Sequence, residues 1–176
     1  MRDSYDDAME LARALLGGSE SIDDIAEAND FANRALRLRP GDCEAWLLKA
    51  QTLSALQDDG SALACAEMAL RRAPQSAEGH YWRTAILGDM ERFADALKSA
   101  DRALQCITEK DEWLLEDLYH EKGTILSALG RREEALAVLE EGLKRCPESR
   151  LLRAGLEPLQ RDRIRKTLRV LPGGRL

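Results

Sequence analysis

The residues able to do covalent or acid–base chemistry are few and dispersed. Cys43, Cys65, Cys106 and Cys146 never form a CxxC pair, and only His80 and His120, 40 residues apart, accompany them. That spacing builds no zinc-ligand pattern, and neither histidine has a neighbouring Cys or Ser in a nucleophile setting. The thiols are expected to act as small apolar fillers. The acid pairs Asp23/Asp24, Asp58/Asp59 and Glu133/Glu134 fall at helix starts or turns. There a carboxylate complements the helix dipole rather than moving protons for a substrate. Phosphate-binding glycine loops, HExxH and GxSxG are all absent. No catalytic residue, metal or cofactor is expected.

The elements that carry these side chains are helices. Ala and Leu dominate and aromatics make up 5% of a chain that is 44% hydrophobic, a balance that favours helix over sheet. No run approaches the roughly 18 apolar residues of a membrane span. The opening "MRDSYDDAMELARAL" carries acids where a leader would carry bases, so a cytoplasmic protein away from membranes is expected. Residues 1–147 hold 18 Lys and Arg against 29 Asp and Glu, whereas residues 148–176 hold 8 against 3. An acidic body disfavours nucleic acid. The basic "DRIRKTLR" has no interleaved aromatic for base stacking. It is expected to be a solvated amphipathic helix with Ile164, Leu168 and Leu171 inward.

The chain repeats itself. "RALRLRP" and "MALRRAP" end at Pro40 and Pro74, 34 residues apart, and Pro147 closes "GLKRCP" 73 residues later. Ala62, Ala96 and Ala135 share one place, and Ala69, Ala103 and Gly142 recur seven residues on. In the preceding helix Trp46, His80 and Tyr119 correspond, then Ala50, Thr84 and Gly123, then Leu53, Leu87 and Leu126. Small residues let antiparallel helices approach, and the large ones fill the space between neighbours.

This pattern resembles the tetratricopeptide repeat: a large residue, Leu-Gly, a small Ala and a closing Pro over 34 residues. The resemblance implies an all-α, right-handed superhelical solenoid of antiparallel helix pairs with a C-terminal capping helix. The expected repeats are 5–40 (degenerate, with about four extra residues near "GGSES"), 42–74, 76–108 and 114–147. In the third, Thr108 stands where the proline would, and "TEKDEW" supplies the five extra residues before the fourth. Residues 148–171 are expected to cap the stack, with Ser149 as N-cap and a break or kink at Pro158, before a tail at 172–176.

In this family the first helices line a concave groove that holds a partner's peptide. The resemblance places Glu44, Leu47 and Gln51, then Glu78, Tyr81 and Ala85, then Asp117, His120 and Thr124 in that groove. The Lys, Arg and Asn clamp by which chaperone-binding members hold a C-terminal carboxylate is missing. Its acids imply instead a protein partner, extended or helical, with apolar and basic character. Lys49, Arg83 and Lys122 share a place where long stems pack beside the core. Trp82 and Trp113 lie off the main stripe and are expected to pack between repeats. The expected role is a non-catalytic interaction scaffold. Self-assembly through the end repeats and a secretion or co-chaperone role are the alternatives.

Overall fold

The computed structural model describes residues 4–18 and 21–170, with the side chains of 166–170 outside that description. Every regular element among the described residues is helical. The helices group into two compact units, 1–106 and 107–176. The first holds α1 (Tyr5–Gly18), α2 (Ile22–Leu38), α3 (Cys43–Ala55), α4 (Asp59–Arg72), α5 (Ala77–Asp89) and α6 (Phe93–Cys106). The second opens with a 3-10 helix, Glu109–Leu114, formed by the inserted "EKDEWL". It continues with α7 (Leu115–Ala128), α8 (Arg132–Arg145) and α9 (Arg150–Val170).

Successive helices pair as hairpins: α1 with α2, α3 with α4, α5 with α6 and α7 with α8. The degenerate first repeat is therefore a complete hairpin, closed by Ala8, Ala12, Ala28, Ala32 and Ala35, all buried. In the later hairpins Ala50, Ala62, Ala69, Ala96, Ala103 and Ala135 have no exposed surface, and Leu53, Leu87, Tyr119 and Leu126 are buried between them. Alanine at these contacts keeps the helix axes close, and the larger side chains fill what remains. Gly123 and Gly142 serve the same close approach in the last hairpin.

The turn between the two helices of a hairpin is the same object three times. Gln57 (φ 62°), Glu91 (φ 56°) and Gly130 (φ 73°) occupy the left-handed region at corresponding places. In each, the next residue's N–H reaches back to the carbonyl of Leu53, Leu87 or Leu126, at 2.8 to 2.9 Å. This six-to-one closure requires a left-handed residue just past the helix end. For a residue with a Cβ that conformation costs about 1–2 kcal/mol, more than the roughly 0.5–1 kcal/mol of extra chain entropy a glycine loses on folding. Glu91→Gly should accordingly raise the unfolding free energy by about 0.5 kcal/mol, and Gly130→Ala should lower it by about 1 kcal/mol. Urea titration of both variants checks the opposite signs.

Between hairpins, Pro40, Pro74 and Pro147 are exposed or only half-buried rather than packed into the core, so their contribution lies in their backbone. The residue six positions after each proline donates to its carbonyl: Trp46 Nε1 to Pro40 (3.0 Å), His80 Nε2 to Pro74 (3.0 Å) and Arg153 Nη2 to Pro147. Carbonyls just past a helix end lack intrahelical partners, and a side chain of the next helix supplies one. Asp42, Ser76 and Ser149 cap the helices that follow by accepting from the N–H three residues on.

Three expectations are corrected. Pro158 does not break the last helix, which runs unbroken from Arg150 to Val170. Proline removes the donor to the carbonyl four residues back, at Ala154, but both residues are exposed and water can serve that carbonyl. Trp113 is 62% exposed while its neighbour Leu114 is fully buried, so the 3-10 turn points the leucine inward and leaves the indole outside. Ile164, expected inward, is 59% exposed because the inward stripe of α9 ends with Leu152, Leu156 and Leu159. The side chain of Leu168, and Leu171, lie outside the described residues.

Candidate functional site

The first helices of the first unit bring four of the expected wall residues, Glu44, Leu47, Gln51 and Glu78, together around a hollow of about 360 Å³, while Tyr81 and Ala85 do not line it. Arg13, Glu44, Leu47, Leu48, Gln51 and Glu78 line it. Leu47 and Leu48 are each 3% exposed, so they form its floor and offer little side chain to a ligand. The rim is polar. Arg13 donates to Glu44 at 2.8 Å, and Gln51 donates to Glu78 at 3.3 Å.

These two bonds are one contact repeated. The four extra residues near "GGSES" place Arg13 of α1 where Gln51 stands in α3. In both cases that position donates to the acid opening the next first helix, so a rail runs α1–α3–α5. Applying the insertion to the acid-bearing face, and not only to the alanines, would have found Arg13 from sequence. The third copy has Ala85 at the donor position, which has nothing to give.

The rail is weakly held. The Arg13 and Glu44 side chains are 56% and 70% exposed, and an ion pair so open to solvent contributes about 0–1 kcal/mol. The Glu44 carboxylate keeps further lone pairs for an incoming donor. The hollow therefore presents two acids and one guanidinium over an apolar floor, and the Arg13–Glu44 tie is one that a ligand can replace at little cost.

Further along α5, Tyr81 and Ala85 are half-buried, and Tyr81 meets Trp82 edge-on at 5.3 Å between ring centres. Trp82 is half-buried, its Nε1 buried with no hydrogen-bond partner among the described residues. Lys49 lies 5.9 Å over the Trp46 ring, and Arg83 reaches the buried Ser99 hydroxyl and, at 3.7 Å, Glu67. These stems pack beside the core as anticipated.

In the second unit, Asp117, His120 and Thr124 lie along α7, the first two half-buried and Thr124 exposed. A Cβ built on Gly155 of α9 would stand 3.6 Å from His120 Cδ2, so α9 covers part of this face. Burial pushes the Asp117 carboxyl above its usual range, the nearby Glu116 charge adds to this, and His120 opposes it.

His80 belongs to the framework and not to the rim. Its Nε2 faces the Pro74 carbonyl, which only accepts, so the proton sits on Nε2. Nδ1 is buried without a partner among the described residues. Burial holds the imidazole below its ordinary pKa against the Pro74 carbonyl's opposing pull, and Arg102 and Arg83 lower it further. A histidine depressed in the folded state stays neutral while the unfolded chain takes up protons below about pH 6.5, so stability falls with pH through that window. Melting temperature should drop between about pH 7.5 and the depressed folded value, and His80→Gln should flatten that slope.

Burial raises the thiols of Cys43, Cys65 and Cys146 above their ordinary pKa, the wrong direction for a nucleophile. Among the described residues no group of three His, Cys, Asp or Glu side chains converges for a metal, and no helix is long and apolar enough to cross a membrane.

Residues 116–156, spanning α7, α8 and the start of α9, match the family described as Tetratricopeptide repeat. No curated protein matches the sequence. Among solved structures, the chain is similar to TTC0263, a thermophilic TPR protein of Thermus thermophilus. The TM-score is 0.73 and the identity 20%, over 89% of this chain and 81% of that one. It is similar also to YrrB, described as a TPR protein with an unusual peptide-binding site (TM-score 0.65, identity 18%, 92% and 79% covered). A third is the TPR2B domain of yeast Sti1 in a pHsp70 complex (TM-score 0.64, identity 14%, 70% and 97% covered). At these identities the likeness is one of fold.

Proposed function

We propose that this chain, whose fold is that of tetratricopeptide-repeat proteins and whose residues 116–156 match that repeat, is a non-catalytic scaffold. It docks a segment of another protein against the α1–α3–α5 wall of its first unit. The observation that carries this reading is the hollow itself: an apolar floor of Leu47 and Leu48 under an exposed tie between Arg13 and Glu44 and a half-buried one between Gln51 and Glu78. A segment carrying a Lys or Arg beside an apolar side chain fits it. The cation replaces a tie at Glu44 or Glu78, and the apolar group covers the floor. Arg13 is then released toward a backbone carbonyl or carboxylate of the same segment. Tyr81, with a rigid ring at the wall's continuation, is the aromatic anchor. The solved relatives whose descriptions name a bound or bindable peptide, YrrB and Sti1 TPR2B, support this choice of class.

Affinity capture from native lysate, run in parallel with wild type, Tyr81→Ala and Glu78→Lys, tests it. Partners retained by wild type should be lost from both variants while both keep the helical circular dichroism and the cooperative melting of wild type. Equal capture by all three rejects the wall as the docking surface.

A further inference from the structure

A second hollow, of about 470 Å³ and lined by none of the residues above, lies between α1 and α2. Leu11 and Ala14 of α1 and Phe31 of α2 give it an apolar bed, Asp7 and Glu10 form an acidic rim, and Arg34 lies at one edge. Leu11 and Ala14 are exposed and Phe31 is half-buried. Later first helices do not stand open like this: α2 packs on α3, and α4 packs on α5. A bed of this kind fits one more helix.

The chain itself carries a helix of the complementary kind. The last part of α9 leaves Ile164 exposed between Arg163 and Arg165, with Arg161 one turn earlier. Residues 161–169 hold five Arg and Lys against one acid, and Leu168 follows Ile164 at helical spacing. Residues 5–34 hold eight Asp and Glu against two Arg. An apolar residue ringed by arginines thus has its counterpart in an apolar bed edged by carboxylates, the pairing that steers and orients two surfaces.

We propose that the basic stretch of α9 in one copy docks in the α1–α2 hollow of the next, a head-to-tail contact between two copies of this chain. The two surfaces differ, so the contact is heterologous and leaves a free hollow and a free α9 at the ends of every open assembly. This arrangement is independent of the wall assigned to a partner segment, because the two hollows share no lining residue.

Light scattering over two decades of concentration tests it, with two double variants of the full chain. Glu10→Arg with Leu11→Arg spoils the hollow, and Ile164→Asp with Arg165→Glu spoils the helix. Wild-type mass should rise with concentration and fall back toward one chain as salt screens the charges. Each variant alone should stay monomeric, with the helical circular dichroism of wild type. An equimolar mixture should stop at two chains, because only one intact hollow and one intact helix remain between them. A strictly monomeric wild type overturns the proposal. So does association that survives the α9 variant, which would mean hollow pairing with hollow, and so does a mixture that stays monomeric while wild type assembles.

Discussion

Gly142→Val should lower the melting temperature by roughly 6–12 °C, corresponding to about 3 kcal/mol lost from the last hairpin. A Cβ at this position would stand 2.7 Å from Tyr119 Cβ, 2.8 Å from Tyr119 Cγ and 3.0 Å from Leu152 Cδ1. Real Cβ contacts are not that short. The Leu152 methyl can swing away, but Tyr119 Cβ is fixed to the backbone of α7, so the helices themselves must separate. Even alanine, which gains about 1 kcal/mol in helix propensity over glycine, loses more than that to the clash. Gly60, in the first turn of α4 with nothing within 4 Å of its Cβ position, supplies the contrast. Gly60→Ala should stabilise by about 0.5 kcal/mol. Opposite signs for two glycine-to-alanine changes, read in one set of melts, separate close helix packing from helix propensity.

Leu152→Ala should cost about 3 kcal/mol. The side chain is fully buried where α9 meets α8, and Leu156 continues the same stripe. Truncation leaves a cavity that the surrounding helices close only in part. The neighbouring Leu151 is only half-buried, and Leu151→Ala should cost well under half as much. A near-equal loss for the two would mean that α9 does not seat on the hairpin by the face assigned to it.

The hairpins were legible in the sequence because their closure depends on residue size. Ala62, Ala96 and Ala135, or Ala69, Ala103 and Gly142, are small where two backbones meet. At the turns, Gly130 is the residue type that the left-handed conformation favours, whereas Gln57 and Glu91 adopt the same geometry without any compositional mark. Pro158 misled because proline's usual effect assumes a carbonyl with no alternative donor, and here that carbonyl faces solvent. Trp113 and Ile164 misled because large apolar residues are commonly inside, and exposure depends on where a helix's inward stripe ends.

At the candidate wall, the positions Glu44, Gln51 and Glu78 came from the repeat register, and α3 and α5 do bring them around one hollow. The bonds joining them were not readable, since a donor's partner depends on which rotamer spans to the next helix. Arg13 was hidden for a further reason: the insertion in the first repeat shifts it out of register with the other copies. Its presence changes the electrostatic picture from a purely acidic edge to one of mixed sign, which favours a ligand offering both a cation and an acceptor.

The most direct measurement of the central claim is a backbone and side-chain chemical-shift titration with the segment that wild type captures and Tyr81→Ala does not. Shifts should concentrate at Arg13, Glu44, Gln51, Glu78 and Tyr81, with the Gln51 side-chain amide among the largest as its tie to Glu78 is replaced. Shifts confined to the outer faces of α4 and α6, with that amide unmoved, would contradict the account.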